Sequence, residues 1–240
     1  MTSEKMNIAI DGPAAGGKTT VARLVASELG LLYLDTGMMY RALAWQALQD
    51  NVPLDDTEAL GKLAEELPLA LEAAPDTEAG CRVYVNGVDI TAQLHGDQVS
   101  AAVSKVASVS AVRADMVKRQ QKIAEAGGVV MAGRDICTVV LPEAELQYYL
   151  DASLDERAKR RFADMQARSG NDLTYADVRQ RLAQRDYEDT HRADSPLKQA
   201  ERAKYIDCTH LSAAQVSSIL VDDYRKLAAE KAEEANSVKS

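Results

Sequence analysis

The sequence is poor in aromatic residues, in basic charge and in long apolar segments. Only 5% of its 240 residues are Phe, Trp or Tyr, so it lacks the stacking side chains that bind single-stranded nucleic acid. Its formal net charge of −9 argues against a basic nucleic-acid surface. No run approaches the roughly 20 apolar residues of a membrane span. We therefore expect neither nucleic acid nor membrane as a partner.

Cysteine is also scarce. Cys81, Cys137 and Cys208 lie far apart and form no C-x-x-C pair. Such an odd, scattered set favours buried thiols in a reducing compartment over a disulfide framework or a zinc site. No long apolar segment precedes the first predicted strand, so we expect no signal peptide. These absences predict a cytoplasmic protein, and we expect it to be a monomer.

A phosphate-binding pattern is present near the start of the chain. Gly12-Pro-Ala-Ala-Gly-Gly-Lys-Thr19 matches G-x-x-x-x-G-K-[ST] and follows an apolar run at 6–10. Apolar residues in 20–29 recur at helical spacing, so the pattern joins a strand to a helix. That context favours a P-loop over a glycine-rich turn without a ligand. The predicted nucleotide-binding residues are Gly12, Pro13, Ala14, Ala15, Gly16, Gly17, Lys18, Thr19 and Thr20.

The backbone of this loop and the side chains of Lys18 and Thr19 each have an expected role in binding ATP. Backbone N–H groups at a helix N-terminus surround phosphate oxygens. Lys18 is expected to reach the β- and γ-phosphates of ATP, and the Thr19 hydroxyl to bind Mg²⁺. The loop alone therefore predicts a protein that binds ATP and magnesium.

Strand and helix patterns alternate through the rest of the chain. Short apolar runs at 31–34, 129–132, 146–150 and 205–208 are each followed by polar residues. In open α/β sheets, ligands collect at the carboxyl ends of the strands. We therefore predict an α/β fold of three layers around a central parallel sheet, in a single domain at 1–230 with a flexible tail at 231–240.

Two segments depart from that alternation. Residues 69–96 have strand-like periodicity, and Asn86-Gly87 is typical of a type I′ hairpin, so they predict a small antiparallel β insertion. Residues 155–190 form two arginine-rich helices around a polar turn at 169–172, which predicts a helical lid. Such charge runs are more often a solvated helix face. In a P-loop protein the lid is favoured, because arginines stabilise a phosphoryl group in transfer.

In combination, these segments resemble the bacterial cytidylate kinases, a branch of the P-loop nucleoside monophosphate kinases. The resemblance covers residues 8 to about 220 of the sequence. It rests on 12–20, 33–37 with Tyr40 and Arg41, Ser104, Arg113, 133–140, 151–157 and 185–197, in that order. It implies a P-loop kinase domain that transfers the γ-phosphoryl group of ATP to CMP or dCMP with Mg²⁺.

The same resemblance implies a role for each residue at the strand ends. Ser104, Arg113 and Asp135 would contact the cytosine. Arg185 and Asp189 would hold the ribose near Thr36, and Arg41, Arg134 and Arg192 would hold the CMP phosphate, with Tyr40 beside them. Arg157 and Arg161 would belong to the lid over ATP. The implied catalytic residues are Lys18, Arg134, Asp135, Arg157 and Arg161. No general base is expected, because the acceptor is a phosphate oxygen that is already largely ionised.

Four residues depart from the family pattern. Ala132 stands where relatives often have an acidic residue, which puts added support for Mg²⁺ in doubt. Cys137 and Ala15 replace common glycines, and Gln121 replaces a common arginine. None of them removes a predicted substrate contact.

Two other functions are compatible with the P-loop. One is a kinase for another small molecule, such as UMP or shikimate, and residues Ser104, Arg113 and Asp135 argue for cytosine instead. The other is a nucleotide-binding regulatory switch. The sequence contains no N-K-x-D motif for guanine, which argues against a GTPase switch.

Overall fold

The structure, a computed structural model, describes residues 5–74, 80–167 and 173–237. In chain order its strands and helices are β1 (Ile8–Asp11), α1 (Lys18–Leu29), β2 (Leu32–Asp35), α2 (Thr36–Gln49), α3 (Thr57–Glu66), β3 (Leu69–Ala73), β4 (Cys81–Val85), β5 (Val88–Asp89), α4 (Asp97–Ala107), α5 (Ser110–Ala124), β6 (Val129–Gly133), β7 (Leu146–Asp151), α6 (Leu154–Ala167), α7 (Tyr175–His191), β8 (Lys204–Asp207) and α8 (Ala213–Ser237). A 3₁₀ helix at Thr91–His95 and a π-helical turn at Ile136–Val140 complete the set.

Five of these strands form a parallel sheet in the order β2-β6-β1-β7-β8. Side chains alternate across it as strand geometry requires. On β1, Ile8 and Ile10 pack against α1 and α8, whereas Ala9 faces the cluster formed by α2 to α5. The predicted three-layer α/β fold is thus confirmed, and β1, which precedes the P-loop, is its central strand.

The antiparallel insertion is also confirmed. Strands β3, β4 and β5 form a second sheet, and β4 and β5 are joined by Asn86 and Gly87. Both residues have positive φ, 52° and 76°, which is the backbone of the type I′ turn that the Asn-Gly pair predicted. Val83 and Val85 pack into the same apolar cluster as α2 to α5. The insertion therefore shares the main core and supports the helices on that face.

Helices α6 and α7 have a small core of their own. Ala158 on α6 and Val178 and Leu182 on α7 pack together and against Ala14 of the P-loop. The two helices lie where the lid was predicted, directly over the phosphate-binding loop. The polar turn expected at 169–172 lies outside the described residues.

Two features of the chain differ from the sequence prediction. Helix α8 continues to Ser237, which corrects the predicted tail at 231–240, because its Ala, Glu and Lys residues are strong helix formers. Residues 238–240 lie outside the described part. The π-helical turn at Ile136–Val140 was not predicted. Within the described ranges, no helix is both long and apolar enough to cross a bilayer.

Candidate active site

The P-loop lies between the end of β1 and the start of α1. Gly12 has a φ of 148°, and a Cβ there would lie 1.9 Å from the carbonyl oxygen of Leu150 on β7. Only glycine permits so close an approach of two backbones. Ala15, which replaces a common glycine, takes a φ of 58° at a cost of about 1 kcal/mol. The loop shape is therefore retained despite that departure.

Lys18 is the buried cation of this loop. Its Nζ donates to the carbonyl oxygens of Gly12 and Pro13, each at 2.7 Å. Burial lowers the pKa of Lys18 well below its usual value, and the nearby Arg134 lowers it further. A bound anion would have the opposite effect on this ammonium group. The lysine is thus held at the loop, where a phosphate would favour its charged form.

Thr19 and Thr36 hydrogen-bond to residues near the carboxyl ends of the neighbouring strands β2 and β6. The Thr19 hydroxyl donates to Asp35 Oδ2 at 3.2 Å, while Asp35 Oδ1 caps α2 by accepting from Gly37 N at 2.9 Å. The Thr36 hydroxyl donates to the Ala132 carbonyl oxygen at 3.0 Å. One carboxylate, that of Asp35, therefore lies beside the hydroxyl predicted to bind Mg²⁺.

Asp135 forms the centre of a buried cationic cluster. Its carboxylate pairs with Arg113, and Arg192 Nη2 lies 3.6 Å from its other oxygen. Arg113 also donates to the Ala107 carbonyl oxygen at 3.0 Å, and its guanidinium lies 5.4 Å from the centre of the Tyr40 ring. Both members of the Arg113–Asp135 pair are about 95% buried. Such a pair is costly to break, since removing one partner leaves a buried charge.

Arg134 and Asp189 form a second ion pair beside the first. Arg134 Nε donates to Asp189 Oδ2 at 2.7 Å, and the carboxylate raises the pKa of Arg134 against the effect of burial. Burial, with the positive charge of Arg134, lowers the pKa of Arg185 to about 10. These charges come from the end of β6 and from α7, so helix α7 contributes directly to the cleft.

Arg41 connects α2 to the insertion. Its Nη1 donates to the Leu94 carbonyl oxygen at 2.9 Å and to Ser100 Oγ at 3.0 Å. These two partners lie on the 3₁₀ helix and on α4. The guanidinium is thereby fixed at the side of the cleft that the insertion supports.

The predicted residues surround one cleft of about 590 Å³. Those that line it are Ala14, Ala15, Gly16, Gly17, Lys18, Thr19, Thr20, Thr36, Tyr40, Arg41, Ser104, Arg113, Arg134, Asp135, Arg161, Arg185, Asp189 and Arg192. Gly12, Pro13 and Arg157 are not among them. The P-loop and the residues predicted to bind CMP thus open onto the same space.

Comparison with known proteins identifies the family of the chain. The sequence profile of the cytidylate kinase family matches residues 8–226. The chain belongs to the cytidylate kinase family. It is 46% identical to the cytidylate kinase of Bacillus subtilis (strain 168), over 91% of this chain and 96% of that protein. The resemblance found in the sequence is therefore confirmed.

Other members of the cytidylate kinase family are longer proteins. The chain is 46% identical to the bifunctional pantoate ligase/cytidylate kinase of Synechococcus sp. (strain JA-3-3Ab), and it spans 41% of that protein. A solved structure of an uncharacterized protein from Eubacterium ventriosum superposes with a TM-score of 0.50 at 10% identity. The superposition covers 92% of this chain and 99% of the Eubacterium ventriosum chain. That likeness concerns the fold alone.

One residue that the cytidylate kinase resemblance assigned to catalysis lies outside the cleft. Arg157 is 6% exposed. It donates to the carbonyl oxygens of Ala152 at 2.8 Å and Ala14 at 3.2 Å, and it pairs with Asp186 at 2.6 Å. Those partners lie after β7, in the P-loop and on α7, so Arg157 links the loop to these segments. Arg161, one turn later, does line the cleft.

Sequence reasoning missed part of the nucleotide side of the site. Arg160 lines the cleft and donates to the Cys208 carbonyl oxygen at 2.8 Å. Next to it is a second cavity of about 260 Å³, lined by Gly16, Gly17, Thr20, Val21, Arg160, Cys208, Leu211, Ser212, Ala213 and Val216. The available signal was that Cys208 follows β8, whose carboxyl end lies at the ligand-binding edge of the sheet.

Gln121 and Cys137, two other departures from the cytidylate kinase pattern, make hydrogen bonds with nearby backbone carbonyl groups. Gln121 donates to the carbonyl oxygens of Val139 at 3.4 Å and Val140 at 3.3 Å, at the end of the π-helical turn. Cys137 is buried, and its thiol points to the Ala9 carbonyl oxygen at 3.5 Å. Both residues therefore support the turn that follows Arg134 and Asp135.

Proposed function

We propose that this chain transfers the γ-phosphoryl group of ATP to CMP or dCMP, giving ADP and CDP or dCDP. The observation that carries the proposal is one cleft lined both by the P-loop and by the buried Arg113–Asp135 pair with its surrounding arginines. Family membership supports the same reaction. A donor site and an acceptor site that share one cleft are what a direct transfer requires.

The donor side would use Lys18 and the backbone of the loop. Lys18 Nζ is held by two carbonyl oxygens, which bound phosphates would replace with stronger, charge-assisted hydrogen bonds. The cavity between Arg160 and Cys208 adjoins the loop, and we assign the adenine of ATP to it. Arg161 of the lid then faces the phosphates from above.

Mg²⁺ fits the oxygen groups at the base of the cleft. Thr19 Oγ1 and Asp35 Oδ2 lie 3.2 Å apart, and both residues line the cleft. Hydroxyl and carboxylate oxygens are the ligands that Mg²⁺ prefers. We propose that these two residues hold the ion, directly or through its water molecules, so that Asp35 supplies the carboxylate that Ala132 does not. When bound, the ion would neutralise charge on the phosphates.

The acceptor side would read CMP in three parts. Asp135 would accept from the exocyclic amine of cytosine while Arg113 and Ser104 donate to the ring. Arg185 and Asp189 would hold the ribose near Thr36. The CMP phosphate would be bound by Arg41, Arg134 and Arg192. The Tyr40 ring, which packs against the guanidinium of Arg113, would help to keep that arginine in place.

The chemistry needs no covalent intermediate and no general base. Near neutral pH the attacking CMP phosphate oxygen is already largely ionised, since the second pKa of a phosphate monoester is about 6. Catalysis then rests on alignment and on neutralising negative charge with Lys18 and the arginines. Closure of α6 and α7 would exclude water, which otherwise competes as an acceptor.

The deciding experiment is an ATP-coupled assay with CMP, dCMP, UMP, AMP and GMP as acceptors. We expect turnover with CMP and dCMP, and little with the others. Asp135→Ala should remove most of the CMP turnover. If CMP and dCMP gave no stimulation, or if UMP, or shikimate added as a further acceptor, served better, the assignment would be wrong. Slow hydrolysis without any acceptor would favour a regulatory switch.

We also propose that the protein acts as a monomer in the cytoplasm. The proposed contacts to both substrates come from a single chain, so no second copy is needed to complete the cleft. Cys81, Cys137 and Cys208 are free and buried, which suits a reducing compartment. Its partners would then be small molecules, with neither nucleic acid nor membrane involved.

A further inference from the structure

Asp11 is a buried carboxylate to which the proposed reaction gives no task. It ends β1, directly before Gly12, and its side chain is completely buried. Both of its oxygens accept backbone hydrogen bonds from the chain that follows the neighbouring strand β6. Oδ1 accepts from Ile136 N and Oδ2 from Cys137 N, each at 2.8 Å. Asp11 does not line the cleft, so it does not touch a substrate there.

The two N–H groups that donate to Asp11 belong to the first residues of the π-helical turn. The first N–H groups of any helical turn have no partner within the turn and need an acceptor from elsewhere. Ile136 and Cys137 are 0% and 3% exposed, so water does not supply one. In this chain the acceptor is Asp11. The turn is therefore held in place by a residue of the P-loop strand.

The turn matters because Arg134 and Asp135 directly precede it. Ile136 is bonded to Asp135, so the hydrogen bond at Ile136 N fixes the backbone from which the Asp135 side chain projects. On the other side, the Gly12 carbonyl oxygen accepts from Lys18. Strands β1 and β6 pair as far as Asp11 and Gly133, and beyond that point the Asp11 carboxylate extends the connection to the backbone that follows Asp135.

We propose that Asp11 is a positioning residue that aligns Arg134 and Asp135 with the P-loop through the backbone of Ile136 and Cys137. The effect of Asp11 on CMP use rests on the proposed function. The hydrogen bonds by which Asp11 holds the turn do not depend on that proposal. It predicts that Asp11 affects CMP binding more than ATP binding, although it is next to the ATP loop in sequence.

The charge state of Asp11 agrees with this role. Burial raises its pKa to about 6, while the two backbone N–H groups lower it, so the carboxylate is largely ionised at pH 7.5. The titratable groups that face it are Asp135 and Cys137 beside the turn, Lys18 on α1 and Tyr149 on β7. Both oxygens of an ionised carboxylate can accept a hydrogen bond from an N–H group. In a protonated carboxyl group one oxygen carries a hydrogen and becomes a donor.

The test is Asp11→Asn, which keeps the shape but leaves a single oxygen acceptor. Amide hydrogen exchange of the unliganded protein should quicken by about tenfold at Ile136 and Cys137, and stay unchanged in α1. KM for CMP should rise about tenfold, and KM for ATP by less than about twofold. The matched control is Ile10→Val, the buried neighbour on the same strand, which should leave both KM values and both amides unchanged.

Several outcomes would overturn the proposal. Unchanged protection at Ile136 and Cys137 in Asp11→Asn would do so, as would equal increases in both KM values. If the wild-type protein did not use CMP, the proposed function would fail, while hydrogen exchange would still decide the positioning role.

If Asp11→Asn did not fold, an NMR titration of the wild type would replace it. The Asp11 carboxyl carbon and the Ile136 and Cys137 amide protons should then shift with a common midpoint. Separate midpoints would contradict the link.

Discussion

The donor and acceptor halves of the cleft are built in different ways. The donor half is the continuous segment Gly12–Thr20, and its shape comes from backbone geometry such as the approach of Gly12 to Leu150. The acceptor half is assembled from side chains on or directly after α2, α4, α5, β6 and α7, far apart in sequence. A local motif can specify the first half by itself, whereas the second exists only when the whole sheet has formed.

The two halves also differ in how their charges are balanced without a ligand. Lys18 is held by neutral carbonyl oxygens, and burial lowers its pKa. On the acceptor side, Asp135 balances Arg113 and Arg192, and Asp189 balances Arg134. Three of the acceptor arginines are thus held by carboxylates before CMP arrives, while Arg41 and Arg185 leave this half with an excess of positive charge.

Replacing Lys18 should break the donor half with the largest effect. We expect Lys18→Ala to lower kcat by about 10³-fold, because the cation that stabilises charge on the transferred group is lost. The Kd for CMP, measured by calorimetry, should change little, since the acceptor ion pairs remain. Lys62→Ala, an exposed residue on α3, serves as the control. A kcat close to that of the control would remove Lys18 from the mechanism.

Arg192→Ala should break the acceptor half and leave the donor half intact. Loss of a charge-assisted contact to the CMP phosphate should raise KM for CMP by about 30-fold and reduce kcat, with ATP affinity nearly constant. Steady-state kinetics with each substrate varied in turn would measure both effects. Arg202→Ala is a matched control, because that arginine pairs with Glu143 on the surface. An unchanged response to CMP would exclude Arg192 as a phosphate ligand.

The same contrast explains what the sequence could predict. The P-loop, the Asn86–Gly87 hairpin and the segments of the chain that form the parallel strands follow from local patterns and were correct. Cleft residues such as Asp135 were found only through resemblance, since no local pattern states that α5 and β6 meet there. Arg157 shows the limit: the resemblance implied a catalytic role for it, and it does lie on α6, but its guanidinium bonds to Ala14, Ala152 and Asp186 and does not line the cleft.

Two further features had no local signal. The π-helical turn depends on Asp11, which is more than a hundred residues away in sequence. Arg160 is set apart from Arg157 and Arg161 by its contact with the chain after β8. Both are set by long-range contacts, which periodicity and spacing do not encode.

Replacing Arg119 would test whether the acceptor half depends on the contact that holds α5 against α3. Its guanidinium donates to the carbonyl oxygens of Leu67 at 2.9 Å and Ala64 at 2.7 Å, and so ties α5 to the end of α3. Arg119→Met should lower the free energy of unfolding by about 2 kcal/mol, because these carbonyls lose a charged donor. Chemical denaturation would measure it, with Lys118→Met on the exposed face as control. We expect KM for CMP to rise less than about threefold, since Arg113 keeps its own partners. A larger rise would mean that the acceptor half is less self-supporting than its ion pairs indicate.

The smallest effect concerns Asp11, which joins the two halves. Burial raises its folded-state pKa from 3.8 to about 6. An acid whose pKa is raised on folding binds more protons in the folded state, so its contribution to stability is complete below pH 3.8 and is lost as the pH rises through 6. The free energy of unfolding of the wild type, relative to Asp11→Asn, should therefore increase by about 1 kcal/mol between pH 7 and pH 5. Denaturation of both proteins at each pH would measure it, and because every other titrating group is common to the two, the difference isolates Asp11. A difference that stayed constant or fell toward pH 5 would show that the carboxylate is not held in the buried site between Ile136 and Cys137.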